Sequence, residues 1–182
     1  PIQSLGGAKM VDDDYYRELA AHAHSVGAKV IFDEIQTGLG RTGTFFFSQG
    51  VGVDADMTTM AKGLASGVPT AAVLVEPELA KLAKGGDQGT TFGGGPIAMA
   101  AMKATMEVIA SEGLVDNAKA RGQQLIDGLN AIDGVIGVRG RGLLLGIEFS
   151  APAKAIQMAL LDKGVITGSS ADPHVLRLLP PL

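Results

Sequence analysis

Apolar residues recur at helical spacing in DDDYYRELAAHAHSVGA, where Tyr15, Leu19, Ala20 and Ala23 fall on one face. Acids fill the first turn and Gly27 marks the stop, which predicts a helix over residues 12 to 26. The run KVIFDE then reads as a buried strand. A Gly-rich loop, TGLGRTGTFFF, separates it from a short strand near DMTTMA and another in TAAVLVE. Strand and helix alternate, the order of a mostly parallel, doubly wound α/β sheet. Further on, PIAMAAMKATMEVIAS, from Pro96 to about Ser111, reads as a helix with proline in its first turn, and LVDNAKARGQQLIDGLNAI as a second after Gly113. Strand patterning returns in VIGVRGRGLLLGIEF, two strands around a glycine turn. A helix from about 153 to 163 and the short segments GVITG and HVLRLL follow. This last block predicts a smaller α+β domain, so the expected division is residues 1–112 and residues 113–182.

Composition narrows the class. Hydrophobic residues are 46% of the 182, yet no apolar run approaches the roughly 20 residues that cross a bilayer. The opening PIQSLGG has neither the basic nor the apolar region of an export signal. A net charge of −4, with 15 Lys and Arg scattered along the chain, gives no footprint for nucleic acid or anionic membrane, so small molecules are the expected partners. The absence of cysteine rules out disulfides and thiolate chemistry and agrees with a cytoplasmic location. The chain opens without Met and closes on LRLLPPL, and a fragment is expected from these ends.

Chemistry enters with MTTMAKGLASGVP, whose one lysine, Lys62, has only apolar and small neighbours. An amine held against apolar walls loses proton affinity and becomes nucleophilic toward a carbonyl. Asp33 and Glu34 follow the apolar run VIF, which places Asp33 at the carboxyl end of a strand, where open α/β sheets build their sites. An apolar run followed by Asp-Glu also suits the magnesium-holding strand of a nucleotide hydrolase, although the phosphate-loop motif GxxxxGK[ST] is absent. Lys62 comes 29 residues after Asp33, at the end of the next short strand, so one crevice could hold an amine and a carboxylate. Pyridoxal phosphate needs both, the amine for its aldehyde and the carboxylate for its pyridine nitrogen. His22 and His24, two apart on a helix, face different directions and read as ordinary helix residues.

PIQ, VIFDEIQTGLGRTGTFF, MAKGL, GTTFGGGPIAMAA and VLRLLPPL, in this order, resemble the class III pyridoxal-phosphate aminotransferases, especially the acetylornithine and ornithine group. The resemblance runs through essentially the whole chain and implies fold type I: the second half of the large-domain sheet plus most of the small domain. It implies transamination between an ornithine-like amino acid, such as N-acetylornithine, and 2-oxoglutarate, through a Schiff base on Lys62. Lys62 would also move the substrate proton, and Asp33 would hold the pyridinium. Gln36 would lie by the ring's phenolic oxygen. Thr91, or with less support Thr90, would bind the cofactor phosphate in the neighbouring subunit's site, which implies a homodimer. Arg177 would take the substrate α-carboxylate, a bidentate task suited to a planar guanidinium. Arg41 is given only a bracing role.

Departures from the family pattern shape the alternatives. Its opening motif usually reads EPIQGEGG, whereas here it starts at Pro1 and continues SLGG. Leu5 thus replaces the glutamate that pairs with the α-carboxylate arginine in enzymes acting on ω-amines, which leaves Arg177 available as a charge and brings α-amino acid donors into play. Gly95 and Gln88 stand where asparagine and histidine are common. The family's phosphate loop and ring-stacking aromatic lie in an upstream half that is not among these residues. Aminomutase, decarboxylase and racemase chemistry on the same scaffold remain open, as do the nucleotide hydrolase and a catalytically silent interaction domain.

Overall fold

The structure, a computed structural model, describes residues 1–182. Helix α1 (Asp13–Ser25) carries Asp13 and Asp14 in its first turn, where acids complement the helix dipole. The chain leaves it through Gly27 at φ +79°. Its inward face differs from the predicted one: Tyr16 and Ala20 pack on the core, while Tyr15 and Leu19 are exposed.

Strand β1 (Ile31–Asp33) follows, then the short helix α2 (Phe47–Val51), and then β2 (Met57–Met60). β1 and β2 pair in parallel, with Ile31 opposite Met57 and Asp33 opposite Thr59. This is the pairing that strand–helix alternation predicts. β3 (Ala72–Val75) lies antiparallel on the other side of β2. The connection from β2 to β3 holds a single 3₁₀ turn, too little chain for the helical crossover that a parallel neighbour requires. The segment KVIFDE is not a wholly buried strand: Phe32 is buried, whereas Ile31 and Asp33 are exposed.

After the short helix α3 (Pro77–Ala80), helices α4 (Pro96–Ser111) and α5 (Leu114–Asn130) occupy the predicted spans and meet at Gly113, φ +63°. A second, antiparallel sheet is built from β4 (Val135–Arg141), β5 (Leu144–Phe149) and β6 (Val175–Leu178), with α6 (Lys154–Asp162) in the connection to β6. GVITG forms no strand, but its last residue, Gly168, bridges to Arg177.

The two sheets share a core. Phe32, Phe47 and Val51 from the first region pack with Leu144 of β5, which is fully buried. Each such apolar side chain contributes about 1.5–3 kcal/mol through burial. The join is closest at Gly142, in the β4–β5 turn. A Cβ there would fall 2.6 Å from Arg41 O, and a Cβ on Gly122 of α5 would fall 2.2 Å from Gly142 O. Loop, hairpin turn and helix therefore meet backbone to backbone.

Candidate active site

Parallel pairing puts the carboxyl ends of β1 and β2 at one edge of the sheet. Asp33 is the last residue of β1, and Lys62 begins the 3₁₀ turn Lys62–Ala65 just beyond β2. Lys62 is exposed, which corrects the expectation of an amine enclosed by its apolar sequence neighbours. Leu64 and Ala65 turn inward instead, and Leu64 packs with Met60 and with Ile109 of α4. The lysine backbone is held at φ +51°, a left-handed conformation uncommon outside glycine. Such strain persists only where the surroundings fix it, and here the buried Leu64 and the Ser66–Thr105 hydroxyl contact at 3.0 Å fasten the turn to α4.

Lys62 and Gln36 line one cavity of about 750 Å³, a volume typical of small-molecule sites. Thr105 and Ile109 of α4 form another wall, and Leu179 and Leu182, beyond β6, a third. Asp33 stands at the same sheet edge without lining this cavity; its Oδ1 accepts from Ile35 N at 3.1 Å and Thr59 Oγ1 at 3.2 Å.

Glu34 has a different task from Asp33. It is 1% exposed, and its two carboxylate oxygens accept from Thr37 Oγ1 at 2.6 Å and Ser48 N at 2.8 Å. It thereby ties the start of the site loop to the first turn of α2, where a carboxylate also meets unpaired helix amides. Gly38 lets that loop fold tightly, since a Cβ there would lie 2.9 Å from Glu34 O. With both oxygens engaged inside the fold, Glu34 does not offer the exposed acid of the nucleotide-hydrolase alternative.

Arg41 braces the loop from its other end. Its Nη1 donates to Leu143 O at 3.2 Å and to Pro180 O, and Leu143 N donates to Arg41 O at 2.9 Å. Burial pushes its guanidinium below its usual value.

Arg177 lies in β6, opposite Gly146 of β5, and its Nη1 donates to Ser4 Oγ at 2.8 Å. It does not line the cavity, although the chain beyond it does. Thr91 and Thr90 are exposed in the segment before α4, away from the cavity, with Phe92 and Ile97 exposed nearby. The structure thus gathers Asp33, Gln36 and Lys62 at one edge, sets Arg177 on the second sheet and leaves Thr91 apart.

A polar knot lies at the opposite, amino-terminal ends of β1 and β2. Asp56 accepts from Lys29 Nζ at 2.8 Å and Val30 N at 2.7 Å, and its Oδ2 is 2.8 Å from His24 Nε2. The Lys29 ammonium, then the Val30 amide and His24, hold the Asp56 carboxyl well below the usual carboxylate range. Asp56 and Glu76 together raise Lys29 to about 12. His24 is therefore tied by a hydrogen bond to the Lys29–Asp56 pair rather than being a free helix residue.

An α/β architecture with a lysine and an acid at the carboxyl edge of a parallel strand pair, followed by an antiparallel sheet, is that of the fold-type I pyridoxal-phosphate transferases. A family model described as "Aminotransferase class-III" matches residues 1–182, and the chain belongs to that family. An acetylornithine aminotransferase from Streptomyces coelicolor is 42% identical over 100% of this chain and 46% of its own length. Another from Mycobacterium bovis is 45% identical over 86% of this chain and 40% of its own. Among solved structures, the ornithine aminotransferase from Toxoplasma gondii ME49 superposes with a TM-score of 0.93 at 31% identity, covering 100% of this chain and 45% of that one. This chain spans about half the length of the relatives it matches.

Proposed function

We propose that this chain is the part of a class III aminotransferase that grips the ring of pyridoxal 5′-phosphate and helps move an amino group between an ornithine-like amino acid, such as N-acetylornithine, and 2-oxoglutarate. The observation that carries the reading is Lys62, held in a left-handed backbone at the end of β2 on the wall of the large cavity. The names of the relatives support the choice of donor.

The residues present fit the cofactor ring. An exposed carboxylate, an exposed amine and a glutamine share one sheet edge, beside a cavity with room for the cofactor ring and a substrate. When bound, the cofactor supplies an electron sink for cleavage of a bond to the substrate Cα. Asp33 keeps a proton on the ring nitrogen. Lys62 Nζ takes the Cα proton and returns it, as a general base and then an acid. Gln36 offers its amide to the ring's phenolic oxygen, and Arg177 binds the substrate α-carboxylate as a planar fork.

In this reading residues 1–112 belong to the cofactor-binding domain, and residues 113–182 to the small domain that presents Arg177. Thr91 serves the partner's phosphate site in a homodimer. The exposed Phe92 and Ile97 beside it support an interface there.

The test is covalent. Full-length protein mixed with pyridoxal phosphate should develop a visible absorbance band, and borohydride followed by peptide mapping should find the cofactor on Lys62. Glutamate should then convert the cofactor to its amine form. A protein without the Lys62 adduct, or one that glutamate leaves unchanged, overturns the reading. In Lys62→Ala both the adduct and turnover should disappear while the fold remains.

A further inference from the structure

Two arginines flank Gly146 across the second sheet, Arg139 of β4 on one side and Arg177 of β6 on the other. Directly paired residues project from the same face, so both guanidinium groups start from one surface. The space over Gly146 is taken by the turn that begins at Ser4: a Cβ on Gly146 would lie 2.9 Å from Gly7 O and 3.0 Å from Ala8 Cβ. That close approach holds the turn between the two arginines.

The arginines are treated differently. Arg139 meets acids, with Nη2 3.2 Å from Glu148 Oε2 and 3.7 Å from Asp172 Oδ2. Arg177 takes part in none of the ion pairs. Its Nε donates to Ser169 O at 2.6 Å and its Nη1 to Ser4 Oγ at 2.8 Å. Ser4 is only 4% exposed, so this hydroxyl is a fixed acceptor rather than a mobile surface group. Neutral oxygens can orient a guanidinium without cancelling its charge, and both Nη2 donors stay free for a carboxylate.

We propose that Ser4 is a positioning residue for substrate recognition. It aims the Arg177 guanidinium, uncompensated, at a carboxylate next to the reacting carbon. The inference rests on the assignment of Arg177 to the substrate carboxylate. It gives the neighbouring Leu5 a meaning as well: with no acid at that position, the serine next to it is the group that steadies Arg177.

Two measurements on the holoenzyme test it: glutamate kinetics, and calorimetric binding of glutarate, a dicarboxylate with no amine to react. Ser4→Ala should raise the glutamate KM and weaken glutarate binding by roughly three- to tenfold, the range for the net contribution of a single hydrogen bond, with kcat falling less than KM rises. Ser4→Gly provides the same comparison should the alanine variant not fold. Unchanged glutarate affinity, or a loss confined to kcat, overturns the proposal. Wild-type protein that binds glutarate through Ser4 yet does not transaminate would instead overturn the proposed function alone.

Discussion

Thr59 Oγ1 donates to Asp33 Oδ1 at 3.2 Å across the parallel pair of β1 and β2, and Ile35 N anchors the same oxygen at 3.1 Å. The carboxylate is thus steadied through one oxygen, leaving Oδ2 for a partner at the strand end. In the aminotransferase reading that partner is a protonated ring nitrogen. Asp33→Asn should retain most of the bound cofactor while slowing Cα proton removal by about 100-fold or more, the scale of a lost proton-holding group. Rapid-mixing spectroscopy with glutamate measures the step. An unchanged rate would assign the acid elsewhere.

Glu34 should matter for stability rather than chemistry. Glu34→Ala removes both accepting oxygens and leaves the Thr37 hydroxyl and the Ser48 amide without their buried partner. Each donor left unpaired in a buried site costs about 1–3 kcal/mol. Equilibrium denaturation should show that loss, with the midpoint moving and the slope kept. A variant as stable as the parent would mean that the loop holds itself.

The Asp56 knot predicts a pH dependence with two limbs. Asp56 is held below its ordinary value, so its contribution is complete above the unfolded carboxylate value of about 3.9 and is lost as pH falls through the lower folded value. Lys29 is raised to about 12, so its contribution is complete below the ordinary lysine value near 10.4 and is lost as pH climbs through about 12. Asp56→Asn should lower Tm near neutral pH and flatten both limbs. Thermal melts across pH would show it, and identical profiles for parent and variant would contradict the assignment.

Thr91 is the most exposed assignment. If it serves the partner's site, Thr91→Ala and Lys62→Ala proteins, each poor alone, should partly rescue one another when co-folded, because one site of the mixed dimer is intact. Loss of the hydroxyl should weaken phosphate retention by about 1 to 3 kcal/mol. With mixed dimers verified, activity no better than the average of the parents would remove Thr91 from the interface.

The longer elements were legible in the sequence because each repeats its pattern over several turns or alternations; α1, α4, α5 and the β4–β5 hairpin fall where periodicity put them. α2, α3 and the 3₁₀ turn were not, since four or five residues carry too little period. Lys62 stood out through its apolar neighbours, but those neighbours face inward, and the structural mark of the residue is its positive φ. Nothing in PIQSLGG signals that the Ser4 hydroxyl meets an arginine 173 residues later, because that contact comes from folding one sheet onto a distant turn.

The meeting of backbones at Gly142 has a mechanical outcome. At Gly142 no side chain separates the hairpin turn from α5 on one side or from the loop that bears Gln36 on the other, which resists gliding of the second sheet over that loop. The main chain at Arg177 and at Gln36 is then held at a fixed separation. In the aminotransferase reading that separation would work as a ruler, measuring each substrate from its carboxylate to its reacting carbon. Changes in reach would then come from the side chains of α4, where Thr105 and Val108 line the cavity.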